Sequence, residues 1–217
     1  MKVGLLGGCF NPVHNGHLRL ALETGERLGL DRVELVPAAV PPHKSGDGML
    51  PFGLRAELCE AAIAGVEMLR VNRLEGEREG PSYTVDTLRA LTAQRLEDEF
   101  TFILGSEDLF VLPDWHQGVL IPGLVNLAVA GRRDGGLEAV RLFVEQTWAG
   151  AESLDDASWR LPQGRRLSFI PAGRLDISAS DIRQRWIDGQ SVRGLVPEAV
   201  ERLMDEHGDE VRTVWES

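Results

Sequence analysis

The chain alternates short apolar runs with longer segments in which apolar residues recur at helical spacing. Six of the runs have the length and composition of buried β-strands. They are Lys2–Leu6, Val33–Val36, Met68–Val71, Phe100–Leu104, Leu124–Ala130 and Leu167–Ile170. Regular alternation of strand and helix predicts a parallel sheet with helices on both faces, which is a doubly wound α/β fold. In such folds the ligand site lies at the carboxyl ends of the strands.

The segments between and after these runs predict helices, and turn residues mark where several of them begin or end. The first helix contains Leu18, Leu20, Leu22 and Leu28 and stops near Gly29. Others are expected over Leu54–Ala64, over Tyr83–Leu96 with Ser82 as N-cap, and over Leu137–Trp148, before a polar loop from Gly150 to Gly164. A helix capped by Ser178 or Ser180 runs to about Asp188, and one that begins at Pro197 ends near Gly208.

Length and composition are those of an ordinary globular protein. With 217 residues, 43% hydrophobic and 26% charged, we expect one domain over residues 1–217, with a helical C-terminal part at about 175–217. No apolar run approaches the ~20 residues of a membrane span. The first ten residues lack the long apolar region of a signal peptide, and two cysteines, Cys9 and Cys59, are too few for a disulfide framework. These features predict a cytoplasmic protein that binds no membrane.

The overall charge is strongly acidic. A net charge of −11 and a pI near 4.9 argue against non-specific nucleic-acid binding, which needs a basic surface. A small anionic ligand is still compatible with this charge. Because charges farther apart than ~8 Å are largely screened at physiological ionic strength, a few local cations can make one pocket positive.

The stretch GGCFNPVHNGHL, from Gly7 to Leu18, follows the first predicted strand directly and opens the first predicted helix. Without side chains at Gly7 and Gly8, the backbone can approach a phosphate closely. The N–H groups and the dipole of the following helix start favour an anion. His14 and His17, three residues apart, project from nearly the same side. Together these features predict an anion-binding turn with two histidine donors, although each residue taken alone would fit a plain strand-to-helix turn.

The same stretch matches the pattern GxFxPxHxGH, and on it the chain resembles the HxGH nucleotidyltransferase superfamily. The resemblance implies a Rossmann-like nucleotidyltransferase fold in which His14 and His17 contact the triphosphate of ATP and stabilise the transition state at its α-phosphorus. It also places Gly7, Gly8, Cys9 and Phe10 against ATP. A rival interpretation makes Cys9 a nucleophile, because a thiol near a helix N-terminus can have a lowered pKa. No acyl-transfer constellation accompanies it.

Five further motifs follow along the chain. They are VPPHK at 40–44, PSYT at 81–84, FILGSEDL at 102–109, LPDW at 112–115 and ISASDIR at 177–183. In this order, over almost the whole chain, they resemble the bacterial nicotinate-nucleotide adenylyltransferase family. The resemblance implies that nicotinate mononucleotide is joined to ATP, giving nicotinate adenine dinucleotide and pyrophosphate, with Mg²⁺ accompanying ATP. The implied partners are these two small-molecule substrates, and a homo-oligomer is left open.

The resemblance also implies a role for each motif. For ATP it points to Gly105, Glu107, Ile177, Ser178, Ser180 and Arg183, the last of them catalytic as well. For nicotinate mononucleotide it points to Asn11, Lys44, Ser82, Tyr83, Thr84, Trp115 and Arg133, with Lys44 also a catalytic phosphate contact. An aromatic face suits the pyridine ring, and N–H donors prefer a carboxylate to a carboxamide. A packed tryptophan, a solvated lysine and surface arginines at 132 and 133 are the structural alternatives.

The chain departs from the family's usual residues at three positions. Cys9 replaces a common threonine, and Asn11 and Glu107 each replace a usual aspartate, although Asp108 lies next to Glu107. Three other functions stay open. They are phosphopantetheine adenylyltransferase, whose chains are shorter and lack the PSYT and LPDW pairing, an adenylyltransferase that prefers nicotinamide mononucleotide, and a nucleotide-binding module without turnover.

Overall fold

A computed structural model describes residues 1–42, 48–131, 136–173 and 176–216. Within these ranges, eight strands form one sheet in the order β3-β2-β1-β4-β5-β8-β7-β6. The strands are β1 (Lys2–Gly8), β2 (Arg32–Pro37), β3 (Leu69–Val71), β4 (Glu99–Gly105), β5 (Asn126–Gly131), β6 (Glu152–Asp155), β7 (Ser158–Arg160) and β8 (Arg166–Pro171). From β3 to β8 every neighbouring pair is parallel, whereas β7 and β6 add an antiparallel edge. All six predicted strands and the α/β doubly wound sheet are confirmed.

The helices lie on both faces of this sheet. They are α1 (Asn15–Leu28), α2 (Phe52–Ile63), α3 (Thr84–Gln94), α4 (Ser106–Val111), α5 (Ile121–Leu124), α6 (Gly136–Thr147), α7 (Ala179–Ile187), α8 (Glu198–Glu206) and α9 (Gly208–Trp215). Short 3-10 turns occupy Leu74–Glu77, Leu112–Asp114 and Gly118–Leu120. The predicted stop of the first helix is confirmed, because Gly29 closes α1 in the left-handed conformation with φ of 58°. No helix of the described ranges is both long and apolar enough to cross a bilayer.

Three local predictions were wrong or incomplete. The segment Gly150–Gly164 is not a loop, because it contains the hairpin β6–β7, in which only Trp159 supplies a large buried side chain. All four residues of β6 are exposed, so no apolar run indicated this strand. Ser82 is not the N-cap of α3, since Tyr83 holds that place and the Ser82 hydroxyl accepts a hydrogen bond from the Val40 N–H. The helix predicted to end near Gly208 is followed by α9.

Two hydrophobic clusters fill the space between the sheet and its helices. One packs residues such as Leu6 and Ile103 against α1, α2 and the C-terminal helices, and the other packs residues such as Leu5 and Leu104 against α3, α5 and α6. Successive residues of a strand point to opposite faces, so central strands that are covered on both sides are apolar throughout. This is why the strands were visible in the sequence as continuous apolar runs.

The strand order reverses between β1 and β4. From β1 the chain moves outward to β2 and β3, and then returns to place β4 on the other side of β1. The loops that leave β1 and β4 therefore diverge and open a crevice at the carboxyl ends of these two strands. Ligands of open α/β sheets bind at this kind of position.

Candidate active site

A cavity of about 430 Å³ lies in this crevice. Its wall includes nine residues that the sequence analysis selected: Gly7, Gly8, Cys9, His17, Ser82, Tyr83, Thr84, Gly105 and Trp115. The wall also includes Glu75, Asp108 and His116. Cavities of this size are typical of small-molecule sites. The cavity thus joins the end of β1, the end of β4, the start of α3 and the segment after α4.

Two glycines of the motif leave space for different neighbours. A Cβ on Gly7 would meet another protein atom only at 3.6 Å, an ordinary contact distance, so packing within the protein does not require the glycine. Its missing side chain instead leaves space in the cavity. A Cβ on Gly16 would lie 3.0 Å from His14 Nδ1, so here the glycine makes room for a histidine ring. The two glycines therefore differ in effect, since Gly7 leaves space in the cavity and Gly16 accommodates the His14 ring.

The two histidines of the motif stack on each other at the start of α1. Their ring centroids lie 3.6 Å apart with an interplanar angle of 23°, and the edge of Phe10 meets the His17 ring at 4.9 Å. The His14 N–H donates to His17 Nδ1 over 3.2 Å. Because Nδ1 accepts this bond, the proton of neutral His17 resides on Nε2. His17 lines the cavity, whereas His14 is buried behind it, and His14 Nδ1 has no hydrogen-bond partner among the described residues.

Both rings are neutral at physiological pH. Burial lowers the pKa of His14 to about 4. Burial, with a smaller contribution from the neighbouring His14, lowers the pKa of His17 to about 3. Removal of water disfavours the charged imidazolium, and two stacked rings cannot both become cations without repulsion. As neutral groups, the rings can take part in hydrogen bonds but bring no positive charge to the site.

The start of α1 offers fewer free donors than the sequence suggested. The Asn15 N–H donates to the Leu195 carbonyl over 2.9 Å, and the His17 N–H donates to the His14 carbonyl over 2.9 Å. At the start of α3, the Ser82 and Tyr83 N–H groups donate to the Val40 and Pro81 carbonyls. Thr84, the first residue of α3, lies in the cavity wall, and the first N–H groups of a helix have no partner inside that helix.

An aromatic wall closes the cavity opposite the glycine turn. Trp115 is half-buried and meets the ring of Phe102 edge-on, with centroids 6.4 Å apart. Tyr83 stacks on His116 with centroids 4.0 Å apart. The predicted grouping of Tyr83, Thr84 and Trp115 at one end of a cavity is thus present. Sequence analysis missed His116, for which direct adjacency to the LPDW motif was the available signal.

Asn11 does not line the cavity, and its side chain forms hydrogen bonds within the protein. Its Nδ2 donates to the Gly48 carbonyl over 2.6 Å, and its Oδ1 accepts from the Leu50 N–H and from Trp215 Nε1. The Asn11 carbonyl accepts a hydrogen bond of 2.9 Å from Arg183 Nη1. Asn11 therefore connects the motif to the loop before α2, to α7 and to α9, instead of facing a ligand.

The ISASDIR segment packs beside the motif without entering the cavity wall. Ile177 approaches the position that a Cβ on Gly16 would take, to 3.9 Å. Ser178 precedes α7 as its N-cap residue but makes no capping side-chain hydrogen bond, and the hydroxyl of Ser180 accepts from Arg183 Nη2 over 3.1 Å. Burial lowers the pKa of the half-buried Arg183. The start of α7 thus lies beside the start of α1, and Arg183 is joined to the motif through the Asn11 carbonyl.

Arg55 is a cation of this region that sequence analysis missed. It is 1% exposed, and its guanidinium donates to the carbonyls of Leu50 (2.8 Å), Cys9 (2.7 Å) and Ala39 (3.4 Å). Burial lowers its pKa, which nearby negative groups partly oppose. In sequence, an arginine in the first turn of a helix resembles a surface residue, so no local signal could have revealed it. Its position places positive charge directly behind the glycine turn.

Two acidic residues, Glu107 and Asp108, follow β4, and they differ in whether they line the cavity. Both residues are exposed, but only Asp108 lies in the cavity wall, with the Oδ2 of its carboxyl group close to Gly105. Burial of its carboxyl group, with the charge of Glu107, raises the pKa of Asp108. The cations Lys44 and Arg133, with the neighbouring Arg132, lie outside the described residues. Among the described wall residues, none is lysine or arginine.

Comparison with known proteins supplies the family. Residues 5–185 match the family model described as "Cytidylyltransferase-like". A protein of Trichlorobacter lovleyi named "Probable nicotinate-nucleotide adenylyltransferase" is 41% identical over 213 residues, covering 96% of this chain and 98% of the relative. A protein of the same name from Geotalea uraniireducens is 39% identical over 208 residues, covering 95% of this chain and 96% of the relative. The chain belongs to the nicotinate-nucleotide adenylyltransferase family.

A solved structure shares the fold of this family member. The nicotinic acid mononucleotide adenylyltransferase of Plasmodium falciparum, solved with NaAD, superposes with a TM-score of 0.73 at 15% identity. The match covers 96% of this chain and 97% of the other. At this identity the likeness concerns the fold alone. It agrees with the Rossmann-like nucleotidyltransferase fold that the sequence motifs predicted.

Proposed function

We propose that this chain, as one nucleotidyltransferase domain, joins nicotinate mononucleotide to ATP to give nicotinate adenine dinucleotide and pyrophosphate. One observation carries the proposal: a single cavity is bounded on one side by the glycine turn with His17 and on the other by Tyr83, Thr84 and Trp115. The first group suits phosphates and the second suits a small aromatic acid. Family membership supports the same reaction.

The phosphate side of the cavity binds ATP. Gly7 and Gly8 leave room for the α-phosphate, and His17 donates its Nε2 proton to a phosphate oxygen. His14 supports that donor through its own N–H, which fixes the tautomer of His17. Arg183, Lys44 and the buried Arg55 supply positive charge from the surroundings, and Ser178 and Ser180 at the start of α7 receive the outer phosphates.

The aromatic side binds the mononucleotide. Trp115 stacks on the pyridine ring, and the Thr84 N–H, in the first turn of α3, donates to the nicotinate carboxylate. Charged acceptors make stronger hydrogen bonds than neutral ones, so this arrangement favours the acid over the amide. Arg133 contacts the phosphate of the mononucleotide. Asn11 has no part in this contact set, because its side chain is committed to Gly48, Leu50 and Trp215.

Mg²⁺ accompanies ATP. Among the described residues, no group of three or more histidine, cysteine or acidic side chains is arranged to hold a metal ion. Mg²⁺ commonly binds through one or two carboxylates together with substrate phosphates, and the carboxyl group of Asp108 in the cavity wall is of the oxygen type that it prefers. The ion would supply charge neutralisation on the phosphates, and the carboxyl group of Asp108 would be a protein ligand for it.

The reaction needs alignment and charge neutralisation more than acid–base chemistry. A phosphate oxygen of the mononucleotide forms a bond to the α-phosphorus of ATP, and the bond from that phosphorus to the bridging oxygen of pyrophosphate breaks. The second pKa of a phosphate monoester is about 6, so the attacking group is largely ionised at pH 7 and no general base is required. Neutral donors such as His17 stabilise charge that develops on the α-phosphate oxygens. We place the reaction in the cytoplasm.

Pyrophosphate release tests the proposal. The full chain is incubated with ATP and Mg²⁺ and, in separate reactions, with nicotinate mononucleotide, nicotinamide mononucleotide or phosphopantetheine. The proposal requires release that depends on the acceptor and is fastest with nicotinate mononucleotide. Faster release with either other acceptor would assign a different adenylyltransferase activity, and ATP binding without release from any of them would identify a non-catalytic nucleotide-binding module.

A further inference from the structure

The segment after the LPDW motif is attached to one face of α3. Tyr83 directly precedes α3, and Arg89 lies six residues further along it. The ring of Tyr83 stacks on that of His116 with centroids 4.0 Å apart and an interplanar angle of 25°. Two turns along, Arg89 Nη2 donates to Gln117 Oε1 over 2.9 Å. Residues 116 and 117 are thus held by the helix at two separate points.

The hydrogen bonds in this segment determine which nitrogen of His116 carries the proton. A guanidinium can only donate, so the oxygen of the Gln117 amide faces Arg89 and its NH₂ group faces the other way. That NH₂ group, at Nε2 of Gln117, lies 3.0 Å from Nε2 of His116. The histidine nitrogen must therefore accept. In the neutral ring the proton then resides on Nδ1, which points away from Gln117.

The backbone of Gln117 indicates that its side chain serves a purpose. Its φ of 51° and ψ of 28° lie in the left-handed region, which glycine adopts without strain and other residues rarely adopt. The turn itself is tight, because a Cβ on the following Gly118 would lie 1.8 Å from the Leu112 carbonyl oxygen. Glycine at position 117 would adopt this backbone conformation with less strain. Glutamine adds one thing that glycine lacks, which is the bridge between Arg89 and His116.

We propose that Arg89 and Gln117 are positioning residues that hold the His116 ring in its Nδ1–H form against Tyr83, so that this ring donates to the carboxylate of the pyridine acceptor. The inference rests on the proposed function. His116 lines the same cavity as Tyr83, Thr84 and Trp115, which the proposed function assigns to the pyridine ring. A fixed donor strengthens binding of a carboxylate more than binding of a carboxamide, which brings an NH₂ group of its own.

The kinetic test compares the acid and amide mononucleotides in the full chain and in three variants. In Gln117→Gly, the ratio of kcat/KM for the acid to that for the amide falls roughly tenfold, through a higher KM for the acid, while the KM for ATP is unchanged. The melting temperature stays the same or rises, because glycine relieves the left-handed backbone. Arg89→Gln lowers the ratio in the same direction. The matched control is Arg202→Gln, which breaks an exposed pair with Glu198 on α8 and leaves the ratio unchanged.

A spectroscopic readout tests the tautomer without turnover. Long-range ¹H–¹⁵N spectra of histidine-labelled protein report which ring nitrogen is protonated, and His116→Gln identifies the signal by its disappearance. We expect an Nδ1–H ring in the unsubstituted chain and a mixture of tautomers in Gln117→Gly and in Gln117→Asn, whose shorter side chain cannot reach both partners. An Nε2–H ring in the unsubstituted chain would overturn the inference.

The two possible failures are distinguishable. If the unsubstituted chain releases no pyrophosphate with either mononucleotide, the proposed function fails and the inference with it. If it releases pyrophosphate but Gln117→Gly and Arg89→Gln leave the ratio of acid to amide unchanged, the function stands and only the assignment of Arg89 and Gln117 is wrong.

Discussion

At the scale of single residues, burial determines what the two motif histidines can do. A sequence pattern specifies two imidazoles near an anion and leaves their charge open. Burial lowers the pKa of both stacked rings and so keeps them neutral, and the hydrogen bond to His17 Nδ1 leaves one donor, His17 Nε2, for the cavity. The motif has positive charge beside it from two guanidinium groups, because Arg55 and Arg183 both hydrogen-bond its backbone.

Replacement of His17 by alanine tests this role. We expect His17→Ala to lower kcat by at least about a hundredfold, the usual cost of a preorganised donor to a developing oxyanion, because the phosphate loses its direct partner. The melting temperature should change little, since His17 is only half-buried. Steady-state kinetics and thermal unfolding measure the two quantities. His207→Ala, at a half-buried position between α8 and α9 and outside the cavity wall, is the control, and equal kcat values in the two variants would refute the assignment.

The lowered histidine pKa values also predict how stability depends on pH. The unfolded chain binds protons at these histidines near pH 6.5, whereas the folded chain binds them only near pH 4 and pH 3. As the pH falls from 6.5 towards 4, protonation therefore favours the unfolded state, by about 1.4 kcal/mol per pH unit for each histidine. Between pH 6 and pH 4 the free energy of unfolding should fall more steeply in the unsubstituted chain than in a His14→Gln, His17→Gln double variant. Equal slopes in urea unfolding at several pH values would show that the rings are not buried as described.

At the scale of elements, the sequence predicts those strands and turns that are determined by residues adjacent to one another in the chain. Continuous apolar runs revealed the central strands, and the order of glycines and histidines revealed the turn between β1 and α1. The hairpin β6–β7 was missed because its first strand is exposed at every position, so its sequence is indistinguishable from a polar loop. Arg55 was missed for a different reason. It binds the carbonyl of Cys9, a residue of the motif that lies 46 positions away in sequence.

The three carbonyls that Arg55 binds predict a large effect on stability. Arg55→Met leaves the Leu50, Cys9 and Ala39 carbonyls without this donor in a buried site, and each unpaired group costs about 1–3 kcal/mol. We therefore expect the free energy of unfolding to fall by about 3 kcal/mol or more, and affinity for ATP to fall with it. The comparison is Arg73→Met, which removes an exposed ion pair with Glu60 and should cost at most about 1 kcal/mol. Similar losses in the two variants would contradict the buried role of Arg55.

At the scale of the whole molecule, the C-terminal helices are joined to the motif. Trp215 Nε1 donates to Asn11 Oδ1 over 3.4 Å across 204 positions of sequence, and Arg183 on α7 donates to the Asn11 carbonyl. No local sequence pattern predicts a contact between residues so far apart in the chain. The sequence analysis therefore placed Asn11 against the substrate, where the family usually has aspartate, and the fold gives it partners inside the protein.

Replacement of Asn11 by aspartate tests that long-range connection. The carboxylate of Asn11→Asp cannot donate to the Gly48 carbonyl, now 2.6 Å from Nδ2, and it would be an ionised group in a site only 4% exposed. We expect a loss of about 1–3 kcal/mol in unfolding free energy at pH 7, diminishing as the pH falls and the carboxyl group is protonated. Chemical denaturation at pH 7 and pH 5 measures this. A variant as stable as the unsubstituted chain at pH 7 would mean that Asn11 does not hold these segments together.

The central claim is that one cavity at the carboxyl ends of β1 and β4 holds both halves of the reaction. A crystal structure of the chain with nicotinate adenine dinucleotide bound tests it most directly. The account predicts a phosphate oxygen within hydrogen-bond distance of His17 Nε2, beside Gly7 and Gly8, with the pyridine ring stacked on Trp115 and its carboxylate at the Thr84 N–H. A dinucleotide bound elsewhere, or bound with its pyridine ring away from Trp115 and its phosphates away from His17, would contradict it.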